Sequence, residues 1–251
     1  MIYAFVFIFG AIIGSFLNVV IKRYNTGESI IYSDSRCLAC GKKLSWSELI
    51  PICSFLLQKG KCRGCHSKIS RQYPLVEFLT GLLFLSIFLK FFPDIILVIF
   101  YWIVASLLII ISVYDFYHQI IPDKIVYLLI FLALGYWFFI GNAALSGFLA
   151  GLSFFLFFFL LWISSRGRSM GLGDSKIALA AGWILGFENG IIAILFSFWI
   201  GAILGVFLLL FSRKTFTLKS RIPFGPFLSL GIIIAFLFGE SIIKAYFNIF
   251  L

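Results

Sequence analysis

The chain has 251 residues, of which 62% are hydrophobic and only 12% are charged, and its formal net charge is +10. Soluble domains are about 45–50% apolar and about 25% charged. The composition therefore excludes an ordinary soluble protein and indicates several membrane-spanning helices. The positive charge does not indicate nucleic acid, because basic residues collect in the inner loops of membrane proteins.

Eight apolar segments approach the roughly 20 residues that a spanning helix needs. They are 2–21, 74–92, 95–114, 123–140, 144–164, 175–187, 190–211 and 225–249. The sixth segment is short and contains Gly182 and Gly186, so we expect it to tilt, break or re-enter the membrane. Glu240 and Lys244 interrupt the last segment, which we expect to span only to about Gly239. The predicted fold is an all-α polytopic membrane protein.

Basic residues predict the orientation of the chain in the membrane. The first apolar segment is followed, not preceded, by Lys22 and Arg23, which indicates a retained helix and not a cleaved signal peptide. With the N-terminus outside, the inner segments are 22–73, 115–124, 165–176 and 212–224. Every Lys and Arg except Lys90 and Lys244 then lies on the inner side. Since this bias sets topology, we expect a multi-pass membrane protein with its N-terminus outside and both acidic helix ends described below at the cytoplasmic face.

Two Cys-x-x-Cys pairs occupy the polar region between the first two apolar segments. We divide the chain into a first helix (1–21), a cytoplasmic tetracysteine domain (22–73) and a polytopic membrane domain (74–251). The cysteines are Cys37, Cys40, Cys62 and Cys65. Their spacing is close to that of a zinc ribbon, and four thiolates leave no open position, so we predict structural Zn²⁺. Unligated or redox-active thiols are the alternative. Cys53 is expected to be a buried small hydrophobe.

Asp115 and Asp174 are the candidate catalytic residues. Both lie at the edge of a long apolar segment, and the predicted topology puts both at the cytoplasmic face. Carboxylates beside lipid are costly, and two that share a proton can activate water for peptide-bond cleavage. Taken singly, each acid has a simpler interpretation, a solvated group at the membrane edge or a helix cap.

The helix ends predict how the two acids divide a shared proton. Asp115 should lie near a helix C-terminus, where apolar surroundings and the helix dipole both disfavour its charge. Asp174 precedes a helical segment and can cap its N-terminus, where charge is favoured. We therefore expect Asp115 to hold the shared proton more often, although the pair would titrate as a unit.

Other residues near the two acids have open assignments. Asp123 follows Pro122 and is expected to serve the start of the next helix. Lys176 anchors the Asp174 loop, competes for its charge, or extends to the membrane surface as an ordinary interfacial lysine. Gly10 and Gly14 have the spacing that lets two helices approach closely. Asn18, one turn further on, is expected to add an interhelical hydrogen bond.

Several ordered motifs together resemble the bacterial type IV prepilin peptidases. They are Gly14–Val20 with Lys22, Arg23 and Tyr24; Cys37 to Glu77; Asp115 with Ile121, Pro122 and Asp123; Gly171–Lys176, which includes Gly171, Gly173 and Asp174; and Ile222–Pro226. The motifs extend along nearly the whole chain. The Gly-x-Gly-Asp motif alone is less specific, because presenilin-like proteases share it. Leu38 is a departure, since the family often has proline there.

The resemblance implies a bifunctional membrane enzyme. It would cut the basic leader from prepilins or pseudopilins at the cytoplasmic face, and would methylate the new N-terminus with S-adenosylmethionine. Family knowledge assigns proteolysis to Asp115 and Asp174, and associates methyl transfer with the cysteine-rich region. Glu77 is the candidate for cofactor binding in that region, and an interfacial ion pair with Arg71 is its alternative. The expected partners are prepilin-like substrates and lipid, not nucleic acid.

Two other protein classes also contain some of these features. A transporter or channel carries intramembrane acids, but usually near the bilayer midplane and often in repeated halves. Here the acids lie at one edge and the sequence has no internal repeat. A membrane thiol-redox protein would explain the cysteines but not the acids.

Overall fold

A computed structural model describes residues 1–140, 144–168, 170–211 and 222–250. Within these ranges the chain forms helices, and no β-strand occurs. The α-helices are α1 (Ile2–Arg23), α2 (Cys53–Leu57), α3 (Gln72–Phe91), α4 (Ile95–His118), α5 (Asp123–Phe139), α6 (Leu145–Ser164), α7 (Leu172–Phe211) and α8 (Gly225–Phe250). The predicted all-α fold with a tetracysteine insertion after the first helix is confirmed. The basic segment 212–221, expected on the inner side, lies outside the described residues.

Six of the described helices are long and apolar enough to cross a membrane, namely α1, α3, α4, α6, α7 and α8. Helix α5 has 17 residues and coincides with the expected segment 123–140. Helix α7 has 40 residues and leaves helical geometry at Gly186, where φ is 73° and ψ is −169°. The expected break at this glycine is confirmed, and the predicted segments 175–187 and 190–211 are the two arms of α7.

Helix α8 continues past the two charged residues that were expected to interrupt it. The helix extends over Gly225–Phe250, and the expected end of the membrane span near Gly239 stays a prediction. Glu240 and Lys244 are both exposed. Their i, i+4 spacing with the glutamate first favours a helix, which explains why they do not end it.

The chain divides into two compact units, Met1–Ile110 and Ile111–Leu251. In the first unit α1 packs along α3. A Cβ atom placed on Gly10 would lie 2.8 Å from Cβ of Phe84 and 2.9 Å from Cα of Gly81. The helices therefore touch nearly backbone to backbone, as the small-residue spacing predicted.

Aromatic packing joins the first half of α4 to α3 inside the same unit. The rings of Phe84 and Trp102 stack with centroids 4.9 Å apart, and the indole N–H of Trp102 donates to the Phe84 carbonyl at 2.9 Å. The buried core around them contains Val6, Phe88 and Val98. The indole N–H is thereby satisfied away from water, as a buried tryptophan requires.

In the second unit α7 packs against α5, α6 and α8. Its close contact with α6 depends on small residues, because a Cβ atom on Gly182 would overlap the backbone of Gly151. Further along α7, Ala193 and Ser197 lie against Gly231 of α8. Contacts with three helices fix the position of the N-terminal turn of α7, which carries Asp174.

Substitution of Gly10 by alanine tests the close contact of α1 and α3. The added methyl group would overlap the α3 backbone, and overpacking of this kind costs about 1–3 kcal/mol. We expect a lower melting temperature in detergent. Gly135→Ala is the matched control, because a Cβ atom there has no heavy atom within 4 Å. Equal melting temperatures for the two variants would contradict the packing described.

Candidate active site and metal centre

Asp115 and Asp174 lie at the ends of two helices in the second unit. Asp115 precedes the last turn of α4, and Asp174 is the third residue of α7. Both are buried, with 4% and 3% of their surface exposed. Their carboxyl groups are near enough to interact electrostatically. The fold thus brings together two acids that the sequence separates by two helices.

Asp174 closes the first turn of α7. Its Oδ2 accepts a hydrogen bond from the Gly171 N–H at 3.1 Å, and its own N–H donates to the Gly171 carbonyl at 3.2 Å. Gly171, and not Asp174, therefore stands at the N-cap, and the aspartate reaches back from the third helical position. Its Oδ1 is buried, and no described residue forms a hydrogen bond with it.

The second glycine of the Gly-x-Gly-Asp motif has a packing role. A Cβ atom on Gly173 would lie 2.7 Å from Cβ of Ile121, in the segment before α5. A Cβ atom on Gly171 would meet only ordinary contacts, with Asp174 Oδ2 at 3.6 Å. The motif therefore needs its second glycine so that the segment before α5 can approach α7.

Asp115 contacts the start of α8. Its Oδ2 accepts a hydrogen bond from the Gly225 N–H at 3.0 Å, in a buried position. The expectation for Asp115 considered only the dipole of its own helix. The N-terminal dipole of α8 acts in the opposite direction, because it favours a negative charge. Sequence reasoning missed this role of Gly225, although its place between Pro223 and Pro226 was a signal.

Lys176 joins α7 to α5 beside the two acids. Its Nζ donates to Oδ1 of Asp123 at 2.6 Å and to the Tyr127 hydroxyl at 3.2 Å. The ammonium group also lies 4.8 Å from the centroid of the Tyr127 ring. Asp123 is the first residue of α5, as expected. The lysine thus ties the starts of two helices together.

Each Cys-x-x-Cys pair lies on a turn of the same design. The Cys37 N–H donates to the Lys42 carbonyl, and the Cys62 N–H donates to the Ser67 carbonyl, both at 2.9 Å. The residue after each pair has a positive φ, 73° at Gly41 and 55° at His66. Gly64 does not supply the second turn. Its smallness instead leaves room for the Lys42 side chain, which would lie 3.2 Å from a Cβ atom there.

The four thiol groups could hold one metal ion. All four Sγ atoms lie within 4.8 Å of one another, and the Sγ atoms of Cys37 and Cys65 are 3.9 Å apart. Tetrahedral zinc with bonds of about 2.3 Å places sulfur atoms about 3.8 Å apart. The backbone N–H groups of Cys40 and Ala39 lower the pKa of the Cys37 thiol to about 6. Since the thiolate is the ligand form, the environment of Cys37 suits a cation. The neighbouring Cys65 and Cys37 thiols instead raise the pKa of Cys40 to about 11, so the case for a metal rests on the geometry of the four sulfur atoms.

Two residues near the cysteine cluster, one in α2 and one in α3, differ from expectation. Cys53 is exposed, so the predicted buried position is wrong, because the apolar stretch around it forms only the short helix α2. Glu77 is buried, and its Oε2 accepts the Ile52 N–H at 2.7 Å. Among the described residues, no ion pair joins Glu77 to Arg71, so that alternative is wrong.

Glu77 holds an unusual turn. Ile52 has φ 60° and ψ −53°, a left-handed conformation that β-branched residues rarely adopt. The Cys53 N–H donates to the Pro51 carbonyl across it, which makes a γ-turn. Backbone strain of this kind costs about 1–3 kcal/mol and persists only where neighbouring groups enforce it.

A polar network lies between α1 and α3 near Glu77. The Gln72 amide N–H donates to Asn18 Oδ1 at 3.2 Å, and Asn18 donates to the Tyr73 carbonyl at 3.2 Å. The expected interhelical bond of Asn18 is thus confirmed. The network orients the Gln72 amide, whose Oε1 is buried and has no partner within the part of the chain that the structure describes. Sequence reasoning gave no role to Gln72.

Two family models match consecutive parts of the chain. Residues 8–91 match the family described as the bacterial peptidase A24 N-terminal domain, and residues 102–206 match the type IV leader peptidase family. The cysteine cluster and Glu77 lie in the first match, and both aspartates lie in the second. No solved structure matches the chain.

Several relatives bear the name prepilin leader peptidase/N-methyltransferase. The chain is 36% identical to the one from Bacillus subtilis (strain 168), over 96% of both chains. It is 32% identical to the one from Aeromonas hydrophila, over 99% of this chain and 95% of the relative. It is 30% identical to the one from Pseudomonas aeruginosa, over 94% and 90%. The chain is a multi-pass membrane protein that belongs to the type IV leader peptidase family.

Proposed function

We propose that the protein removes the leader peptide from prepilins or pseudopilins by an aspartic protease mechanism, with Asp115 and Asp174 as its catalytic residues. The observation that carries this proposal is the burial of the two interacting carboxyl groups at neighbouring helix ends. The names of the relatives support the substrate class. The family match that contains both acids supports the reaction.

The proposed mechanism needs only the two carboxyl groups and water. The charged carboxylate takes a proton from water as the water oxygen attacks the scissile carbonyl carbon. The protonated carboxyl group donates a hydrogen bond to the carbonyl oxygen. The carbon–nitrogen bond then breaks, and the leaving amine takes up a proton from the pair. No covalent intermediate forms with the protein.

The same proposal includes the position of the enzyme in the bacterial inner membrane. The N-terminus is outside and both aspartates lie at the cytoplasmic face, since this orientation puts nearly all basic residues inside. The apolar helix of the substrate lies in lipid beside the enzyme, and its basic leader remains in the cytoplasm. The chain accordingly has three parts: helix 1–21, the cytoplasmic domain 22–73 and the membrane protease domain 74–251.

Replacement of either aspartate tests the protease proposal. We expect Asp115→Ala and Asp174→Ala each to lower leader cleavage at least about 10²-fold, the smaller contribution typical of a general acid or base. The assay uses purified protein in detergent with a candidate prepilin, and mass spectrometry locates the cut. Glu188→Gln is the control, because Glu188 is exposed and should not alter the rate. Substantial cleavage by either alanine variant would refute the aspartate mechanism.

We propose that the metal in the tetracysteine cluster is structural Zn²⁺. Four thiolates occupy all positions of a tetrahedral ion, so Cys37, Cys40, Cys62 and Cys65 leave no site for a substrate. The cytoplasmic location also argues against disulfides. The ion would hold the two cysteine turns together in a domain too small for a large hydrophobic core.

Metal analysis of purified variants tests this assignment. The wild type should carry about one zinc per chain, and Cys37→Ser and Cys62→Ser should lose it, because serine is a poor zinc ligand. Cys53→Ser is the matched control and should retain the metal, since Cys53 is not in the cluster. Full zinc occupancy in the Cys37 or Cys62 variant would exclude the proposed site.

We propose further that the protein methylates the new N-terminal amine and that Glu77 belongs to this second site. S-adenosylmethionine supplies a methyl group on a positively charged sulfur. Near it, the Glu77 carboxylate would attract the positive charge and accept the proton that the methylated amine releases. The unpartnered Gln72 Oε1 offers a further acceptor in the same helix pair. The match of this region to the N-terminal domain of the family supports the placement.

Glu77→Gln removes the negative charge of the side chain but keeps its hydrogen bond, because a glutamine oxygen can still accept the Ile52 N–H. We expect the variant to lose methylation and to keep zinc and leader cleavage. Its affinity for S-adenosylmethionine should fall about tenfold, which corresponds to about 1.4 kcal/mol. Its affinity for S-adenosylhomocysteine, whose sulfur carries no charge, should not change. Calorimetric binding constants equal to wild type for both ligands would remove Glu77 from the site.

A further inference from the structure

The start of α8 leaves one backbone donor for Asp115. Pro223 and Pro226 have no N–H, and the N–H groups of Phe227 and Leu228 both donate to the Phe224 carbonyl. Within the first turn of α8, the Gly225 N–H therefore remains, and it donates to Asp115 Oδ2. Asp115 thus satisfies the helix N-terminus from a position 110 residues earlier in the chain.

Only glycine at position 225 leaves room for the Asp115 carboxyl group in this contact. A Cβ atom at position 225 would lie 2.6 Å from Asp115 Oδ2 and 3.2 Å from its carboxyl carbon. Carbon and oxygen atoms do not approach so closely without repulsion, so any side chain would push the carboxyl group away. The fit is therefore specific to the orientation of Asp115.

The two acids differ in the groups that face them. Asp115 receives the Gly225 N–H at the positive end of α8, and Asp174 receives the Gly171 N–H at the positive end of its own helix α7, so the two helix dipoles favour both charged forms alike. The difference lies in the second oxygen of Asp174, because its Oδ1 is buried and has no hydrogen-bond partner among the described residues. A charged carboxylate with an unpartnered buried oxygen is costly, whereas a protonated Oδ1 can donate to a substrate. Lys176 does not offset this cost, because its ammonium group pairs with Asp123.

We propose that Gly225 is the positioning residue of the catalytic pair: its backbone N–H holds Asp115 as the charged base, and Asp174 carries the shared proton. This division of roles reverses the expectation from the sequence. It rests on the proposed protease function. Asp115 then accepts the proton of water, and Asp174 donates to the scissile carbonyl oxygen. The proton on Asp115 finally passes to the leaving amine.

Steady-state kinetics of Gly225→Ala test the positioning role. A displacement of about 1 Å in a catalytic group can cost about 10²-fold in rate, so we expect kcat for leader cleavage to fall about 10²-fold. KM should stay within about twofold of wild type, because Gly225 acts on Asp115 and not on the leader. Gly135→Ala, whose added methyl group meets no neighbour within 4 Å, should keep both constants.

The results distinguish failure of the proposed protease function from failure of the positioning role of Gly225. If wild-type protein does not cleave a prepilin, the proposed function fails. If wild type cleaves and Gly225→Ala has wild-type kcat, the positioning role alone fails. A rise in KM as large as the fall in kcat, or a melting temperature far below that of Gly135→Ala, would indicate a general structural role and would also overturn it.

Asparagine variants test the division of roles without altering Gly225. Asparagine at position 174 can still donate an N–H to the scissile carbonyl, while asparagine at position 115 cannot accept a proton from water. We therefore expect Asp174→Asn to retain a cleavage rate at least about tenfold above that of Asp115→Asn. Equal rates, or the reverse order, would contradict Asp115 as the base.

Discussion

Burial of two carboxyl groups among apolar helices is the constraint on which the arrangement of the second unit depends. Such groups are costly near lipid unless each has a defined partner. Asp174 obtains its partner within its own helix turn, but Asp115 requires a donor from α8. The helix starts of α7 and α8 are therefore parts of the site, because each presents one backbone N–H to one acid.

Close packing by small residues makes this arrangement rigid. Gly173 admits Ile121, and Gly182 admits the backbone of Gly151, so the first arm of α7 is held by its neighbours on two sides. The Lys176–Asp123 ion pair adds an electrostatic contact between the starts of α7 and α5. A rigid support of this kind suits a site in which a small displacement of a carboxyl group is costly.

The sequence predicted the features that depend on local pattern. Apolar segments located the helices, Gly186 marked the break in α7, and the cysteine spacing predicted the cluster. It did not predict features that depend on distant contacts, such as the bond from Gly225 to Asp115. The predicted burial of Cys53 was wrong for a related reason. An apolar stretch indicates burial only where another element covers it.

Glu77 shows the same limit in the first unit. The motif suggested an important acid, but its partner is a backbone N–H in a strained turn 25 residues earlier. No sequence pattern predicts an isoleucine with a positive φ, since this backbone conformation is intrinsically unfavourable for a β-branched residue. Such contacts become evident only when the helices are placed.

The bend at Gly186 also solves a problem of length. A straight helix of 40 residues would measure about 60 Å, about twice the hydrocarbon thickness of roughly 30 Å. Without the bend, one end of α7 would project well beyond the hydrocarbon layer. Among the described residues, nothing lies within 4 Å of a Cβ atom at this position, so crowding does not require glycine there. The left-handed backbone alone requires it, and that one residue divides α7 into two arms, each short enough for a bilayer to accommodate.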